Sequence, residues 1–79
     1  MLQIKSNGKV FDLALSIQQQ LNQSKSLEFY GEGKWTLKTV SVLETLKRQM
    51  GPDLKQEIQV FYSQQNDHRL PCIKIKVSI

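Results

Sequence analysis

The residues best suited to chemistry stand in one stretch, Gly31-Glu32-Gly33-Lys34-Trp35-Thr36-Leu37-Lys38. Two glycines, one residue apart, follow a strand-like run and precede a helical one. Such a turn presents backbone N–H groups and the positive end of a helix dipole, which together suit a phosphate. Lys34 and Lys38 are four apart, so both project from one side of the first turn. Cations at a helix N-terminus oppose the dipole, at a cost of about 0.3–1 kcal/mol each. An anion bound at the turn would relieve that repulsion. The pattern therefore points to an anion site at Gly31, Gly33, Lys34 and Lys38; the plain alternative is a tight strand-to-helix turn with solvated lysines. The Lys-Ser/Thr ending and the four-residue glycine spacing of a nucleotide-binding P-loop are absent. So is the third glycine of the dinucleotide fingerprint.

Further cations lie near other turns. Lys5 and Lys9 flank Asn7-Gly8, Arg69 follows His68 in a polar stretch, and Lys74 and Lys76 alternate with apolar residues on one sheet face. Hydrogen-bonding amides and cations without a base-reading motif fit backbone binding with low sequence specificity. Tyr30 suits stacking on a base if it faces out, whereas Trp35 lies on an apolar stripe and reads as core.

Nothing comparable assembles a catalytic centre. His68 is the only histidine and reads as a solvated loop residue beside Asp67 and Arg69. Cys72, the only cysteine, follows Pro71 at a strand start and reads as a small half-buried residue. No carboxylate pair stands apart: Asp12, Glu44 and Asp53 suit helix surfaces or ends. We expect no enzyme, no cofactor and no metal site, since structural zinc takes four Cys/His ligands. One cysteine also excludes an internal disulfide.

The elements that must position these residues follow from periodicity. Leu2 and Ile4 alternate with polar neighbours in a strand from Met1 to Ser6, which Asn7-Gly8 breaks. From Lys9 to about Gln23, Val10, Leu13, Ala14, Ile17 and Leu21 mark one helix face, flanked by Phe11 and Leu15. Leu27-Glu28-Phe29-Tyr30 reads as a second strand. A second helix runs from about Lys34 to Met50, with Trp35, Thr39, Val42, Leu43, Leu46 and Met50 on one face and Leu37 off it; Gly51-Pro52 stops it. Lys55 to Ser63 alternates around Ile58, Val60 and Tyr62, and Ile73, Ile75, Val77 and Ile79 alternate with Lys74, Lys76 and Ser78. These two runs form a hairpin with a long tip, Gln64 to Arg69; Pro71 suggests an edge or a bulge. The order β-α-β-α-β-β implies an α+β, two-layer fold: a four-stranded mixed sheet with both helices on one face. In it, the loops before the two helices share one end of the sheet, collecting Lys9, Gly31, Gly33, Lys34 and Lys38.

The 79 residues make a single domain, 1–79, with a net charge of +4. So small a domain has a marginal core, and with disulfides and metals excluded, oligomerisation is the remaining supplement. The basic balance tilts toward an anionic partner, nucleic acid first. No apolar run approaches membrane-spanning length, so no membrane partner is expected. The lone thiol and the lack of a signal-peptide layout suggest an intracellular setting, cytoplasm or nucleus.

The stretch from Gly31 to Arg48, GEGKWTLKTVSVLETLKR, resembles the signature of the Alba family. That signature is a Gly-x-Gly-Lys/Arg turn, a helix with a basic residue one turn on, a valine-rich centre and a Glu-x-Leu-Lys/Arg-like end. The first helix and closing hairpin match in length and pattern, so the resemblance covers nearly the whole chain. It implies the Alba fold and a small dimer that binds double-stranded DNA or RNA through basic loops and two hairpin arms, in chromatin or in a ribonucleoprotein. The partner chain would be a second copy or another Alba-like chain, as in subunits of ribonuclease P and MRP. By resemblance, Lys34 and Lys38 match basic residues of the binding surface and Arg69 falls in the arm. The sequence departs from the family at Asn7 and Gly8, where a basic pair is common, with Lys9 one place later. Trp35 stands where the family usually has a small residue.

Overall fold

A computed structural model of the chain describes residues 1–5 and 7–79, and of Gln65 the backbone alone. Ser6, at the end of the expected first strand, lies outside the described residues. The elements are β1 (Leu2–Gln3), α1 (Val10–Ser24), β2 (Ser26–Glu32), α2 (Thr36–Met50), β3 (Lys55–Gln65) and β4 (His68–Ser78). Single turns of 3-10 helix, Gly33–Trp35 and Gly51–Asp53, flank α2. This is the β-α-β-α-β-β order expected from periodicity. The strands form one mixed sheet in the order β1-β2-β4-β3, with β1 parallel to β2 and the other neighbours antiparallel.

Both helices lie on one sheet face because their apolar stripes have only that face to bury against. Ala14, Ile17 and Leu21 of α1 and Thr39, Val42, Leu43 and Leu46 of α2 are buried. They meet Phe29 on β2 and Ile73, Ile75 and Val77 on β4. Each large side chain buried there contributes roughly 1.5–3 kcal/mol. The register fixes which residues share that face: Leu27 opposes Val77, Phe29 opposes Ile75 and Gly31 opposes Ile73. The intervening pairs, Glu28–Lys76, Tyr30–Lys74 and Glu32–Cys72, occupy the open face. α1 ends at Lys25, whose left-handed φ of 69° turns its N–H to the Leu21 carbonyl at 2.8 Å. α2 ends at Gly51, with φ of 74°. No helix among the described residues is long and apolar enough to cross a membrane.

Four expectations need correction. The hairpin tip is short: β3 runs to Gln65, β4 starts at His68, and only Asn66 and Asp67 turn, both with positive φ. This is a two-residue loop that suits the twist of the strands, built without the glycine that usually announces it. His68 and Arg69 are therefore strand residues, not loop residues. Trp35 is half-buried and outside the apolar core. It precedes α2 in the 3-10 turn, where the chain has not yet taken up the α-helical period that put it on the stripe. Cys72 is fully buried rather than half-buried, because Glu32 and Phe61 occupy the paired positions on either side. The first strand is only two residues long, although the Ile4 N–H still donates to the Tyr30 carbonyl at 2.7 Å.

The last hairpin outruns the sheet. Pairing between β2 and β4 stops at Glu32–Cys72, while β3 and β4 continue pairing to Gln65–His68. Four residue pairs thus project as an arm of about 14 Å, at roughly 3.4 Å per residue. Pro71 lies in this arm, where β4 has only β3 beside it, so its missing N–H costs the sheet little.

Candidate nucleic-acid interface

Topology gathers the cations. β1 and β2 are parallel and each leads into a helix, so the segments after them leave the sheet at the same end. The arm projects from that end too, because Glu32 at the close of β2 pairs with Cys72 near the start of β4. Lys5 and Lys9 come from the first segment, Lys34 and Lys38 from the second, and Arg69 from the arm. Three separated stretches of sequence thus bring five cations to one end. Lys5, Lys9, Lys34 and Arg69 are exposed and Lys38 is half-buried. Net charge does not single out this end, since six basic residues lie elsewhere in the chain. The ion pairs Lys47–Glu44 (3.4 Å) and Lys74–Glu28 (3.8 Å) engage lysines elsewhere.

Neither helix start at this end has a side-chain cap, although Asp12 places one carboxylate in the first turn of α1. Lys9 is the N-cap of α1 and makes no side-chain cap hydrogen bond. No side chain caps α2 or the 3-10 turn before it, and the first turn of α2 has no acidic residue. The Thr36 hydroxyl instead donates backwards to the Gly33 carbonyl at 3.0 Å. A helix start with lysines and without a capping carboxylate is electrostatically suited to an external anion.

The two glycines do different work. Gly33 has φ of 60°, a left-handed conformation that glycine adopts without strain, and it turns the chain from β2 into α2. Gly31 is buried in β2. A Cβ there would collide with the Thr39 hydroxyl and lie 2.6 Å from the Trp35 carbonyl oxygen. Gly31 lets α2 sit down on β2; its contribution to the interface is to set where the turn lies.

Three further residues shape this end and were not among the expected binding residues. Glu32, between the glycines, accepts hydrogen bonds from the Ser63 hydroxyl (3.2 Å) and the Cys72 thiol (3.4 Å). It ties the base of the arm to the turn, and its carboxylate lies on the open sheet face. Tyr62 lies beneath Arg69, whose guanidinium carbon is 4.6 Å from the ring centroid. Trp35 lies beneath two cations: Lys34 Nζ is 5.1 Å and Lys38 Nζ 5.7 Å from its ring centroid. The Tyr62–Arg69 contact follows from the pairing of Gln64 with Arg69, a register that a long tip would have hidden. Tyr30, which sequence marked for stacking, is half-buried on the open face beside Lys74. Among the described residues no group of three or more His, Cys, Asp and Glu is placed to hold a metal ion.

A family model, Alba, matches residues 2–64. No curated protein sequence matches the chain. Among solved structures, Alba from Thermoplasma volcanium superposes with a TM-score of 0.74 at 19% identity, covering 99% of this chain and 98% of that one. At that identity the superposition speaks for the fold, and it extends the likeness over the arm beyond the family model. The matched segment holds both helix starts and the turn between β2 and α2, and the chain belongs to the Alba family of nucleic-acid-binding proteins.

Proposed function

We propose that this protein binds RNA or DNA through the phosphate backbone, with low sequence specificity, and acts as a dimer and not as an enzyme. The observation that carries the reading is the convergence of Lys5, Lys9, Lys34, Lys38 and Arg69 at one end, around two helix starts with no side-chain cap. Gly33 contributes the left-handed turn that opens the start of α2. Cations around helix starts, without a base-reading motif among the described residues, favour affinity from charge and release of counterions. A nucleic-acid partner puts the chain inside the cell, in cytoplasm or nucleus. Salt-titrated binding tests it. Each phosphate contact contributes about 0.9 to the slope of log affinity against log salt on duplex DNA. The double variant Lys34→Gln/Lys38→Gln should weaken binding to unrelated sequences equally and flatten that slope by nearly two. Wild-type affinity and slope in the variant would remove these lysines from the interface.

The dimer is supported by what the helices leave uncovered. Ile58, Val60 and Tyr62 share the helix-side face of β3, yet are 46%, 72% and 62% exposed, because neither helix packs substantially on that edge strand. An apolar edge strand is a liability unless another chain covers it. A second copy, laid against its own β3, would bury the same residues twice over, as a two-fold interface does. Val60→Asp should give a folded monomer where wild type sediments as a dimer. An unchanged dimer in that variant would put the interface elsewhere.

A second reading, a small ribonucleoprotein subunit of the ribonuclease P or MRP kind paired with a different Alba-like chain, is favoured by apolar residues left over on the helices. Leu37 is 76% exposed and Phe11 59%. Light scattering on the purified chain separates the two: a monodisperse homodimer supports the first reading, and a monomer that dimerises only with another Alba-like chain supports the second.

A further inference from the structure

The chain has one tryptophan, and it stands in the middle of the basic turn. We propose that Trp35 is a positioning residue of the nucleic-acid interface: its indole gathers the Lys34 and Lys38 ammonium groups over one ring at the start of α2 and so presents them together to backbone phosphate. The inference rests on the nucleic-acid reading above and adds to it the residue that sets the geometry of the cations.

Three observations carry it. Both ammonium nitrogens, at 5.1 and 5.7 Å from the ring centroid, lie within the range at which the indole quadrupole attracts a cation, and tryptophan is the strongest such partner. The ring is not spent on the core. Trp35 is half-buried and is neither part of the buried apolar cluster nor among the partly buried residues packed against it. Its backbone, by contrast, is held firmly. The Trp35 carbonyl accepts a hydrogen bond at 2.8 Å from the hydroxyl of Thr39, which is fully buried, and it lies where only a glycine at position 31 leaves room. The chain of constraint runs from Gly31 and Thr39 to the Trp35 backbone, and from its ring to the two lysines.

The consequence is physical. Lysine is among the side chains with most rotamer freedom to lose, and two ammonium groups at a helix start repel each other and the dipole. The negative face of the ring offsets part of that repulsion before any phosphate arrives, and it narrows the positions the ammonium groups occupy. Less order then has to be imposed on binding. Because the ring carries no charge, it changes affinity without changing how many counterions are released.

The test uses the full chain with a labelled DNA duplex and a labelled RNA strand of unrelated sequence, titrated with salt. Trp35→Leu should bind about five- to tenfold more weakly at fixed salt with an unaltered salt slope, since every cation remains. Trp35→Phe, which keeps a ring face, should recover most of the loss. In the free protein, ring currents should move the Hε signals of Lys34 and Lys38 upfield in wild type and release them in Trp35→Leu, a readout independent of nucleic acid. Ordinary lysine shifts in wild type would overturn the proposal. So would Trp35→Leu binding within twofold of wild type, or an equal loss in Trp35→Phe. If Trp35→Leu is silent while Lys34→Gln/Lys38→Gln loses affinity and slope, only the role of Trp35 fails. If the double lysine variant is itself silent, the nucleic-acid reading of this turn fails with it.

Discussion

Replacing Gly31 with alanine should be the most damaging small change at this end of the molecule, and its size can be worked out. The added Cβ would lie 2.6 Å from the Trp35 carbonyl oxygen, well inside the contact distance, and closer still to the Thr39 hydroxyl. Neither neighbour gives way cheaply. The carbonyl is backbone, and Thr39 is fully buried and donates to that same carbonyl at 2.8 Å. Over-packing a well-fitted site costs typically 1–3 kcal/mol, and disturbing the Thr39 hydrogen bond adds about 0.5–1.5 kcal/mol. The sum, about 1.5–4.5 kcal/mol, is a large share of the roughly 4–12 kcal/mol expected for a chain of this size. Urea unfolding at fixed protein concentration would measure it, the concentration being held because a dimer's stability depends on it. The double variant Gly31→Ala/Thr39→Ala should fall short of the sum of its single effects by about 0.5–1 kcal/mol, since removing the hydroxyl relieves the shortest of the close contacts and leaves that with the Trp35 carbonyl. A Gly31→Ala protein within about 0.5 kcal/mol of wild type, or strictly additive effects, would refute the claim that Gly31 is there for close approach.

Two other backbone predictions follow from neighbouring geometry. Gly33→Ala meets only the Leu70 side chain at 3.7 Å, so space is not the obstacle; the left-handed φ of 60° is, and the cost should be about 1–2 kcal/mol by thermal unfolding, less than at Gly31. Asp67→Gly relieves a positive φ of 65° at the arm's turn and should stabilise by about 0.5 kcal/mol, read by denaturant titration and by slower amide exchange in the arm.

The order of the elements and the two buried helix faces were legible in the sequence because apolar spacing there is set by one local rule, the helical period, and the stripe positions other than Trp35 are buried in or packed against one core. Trp35 broke that rule by standing in the 3-10 turn, before the helical period begins. The arm was misjudged because Gln64 to Arg69 carries neither alternation nor a glycine, and register there is fixed by strands that pair with nothing else. The uncovered face of β3 was hidden for the opposite reason. Ile58, Val60 and Tyr62 alternate as buried residues do, and only the three-dimensional reach of the helices reveals that neither helix covers them. At the candidate interface, residue types and spacing singled out Lys34 and Lys38 together with the turn. Gly31's packing role, the Glu32 tie to Ser63 and Cys72, and the stacking of Arg69 on Tyr62 depend on contacts between distant segments, which spacing does not encode.

On the proposed reading, nucleic acid meets the end of the molecule where both helix starts and the arm converge, rather than the open sheet face that carries Glu28, Tyr30, Lys74 and Lys76. Backbone amide shifts of the isotope-labelled protein, followed while a short DNA duplex or an RNA strand is titrated in, test this most directly. Lys5, Lys9, Gly33 to Lys38 and Arg69 should move together and saturate at one stoichiometry. Shifts confined to Glu28, Tyr30, Lys74 and Lys76, with the two helix starts unmoved, would contradict it.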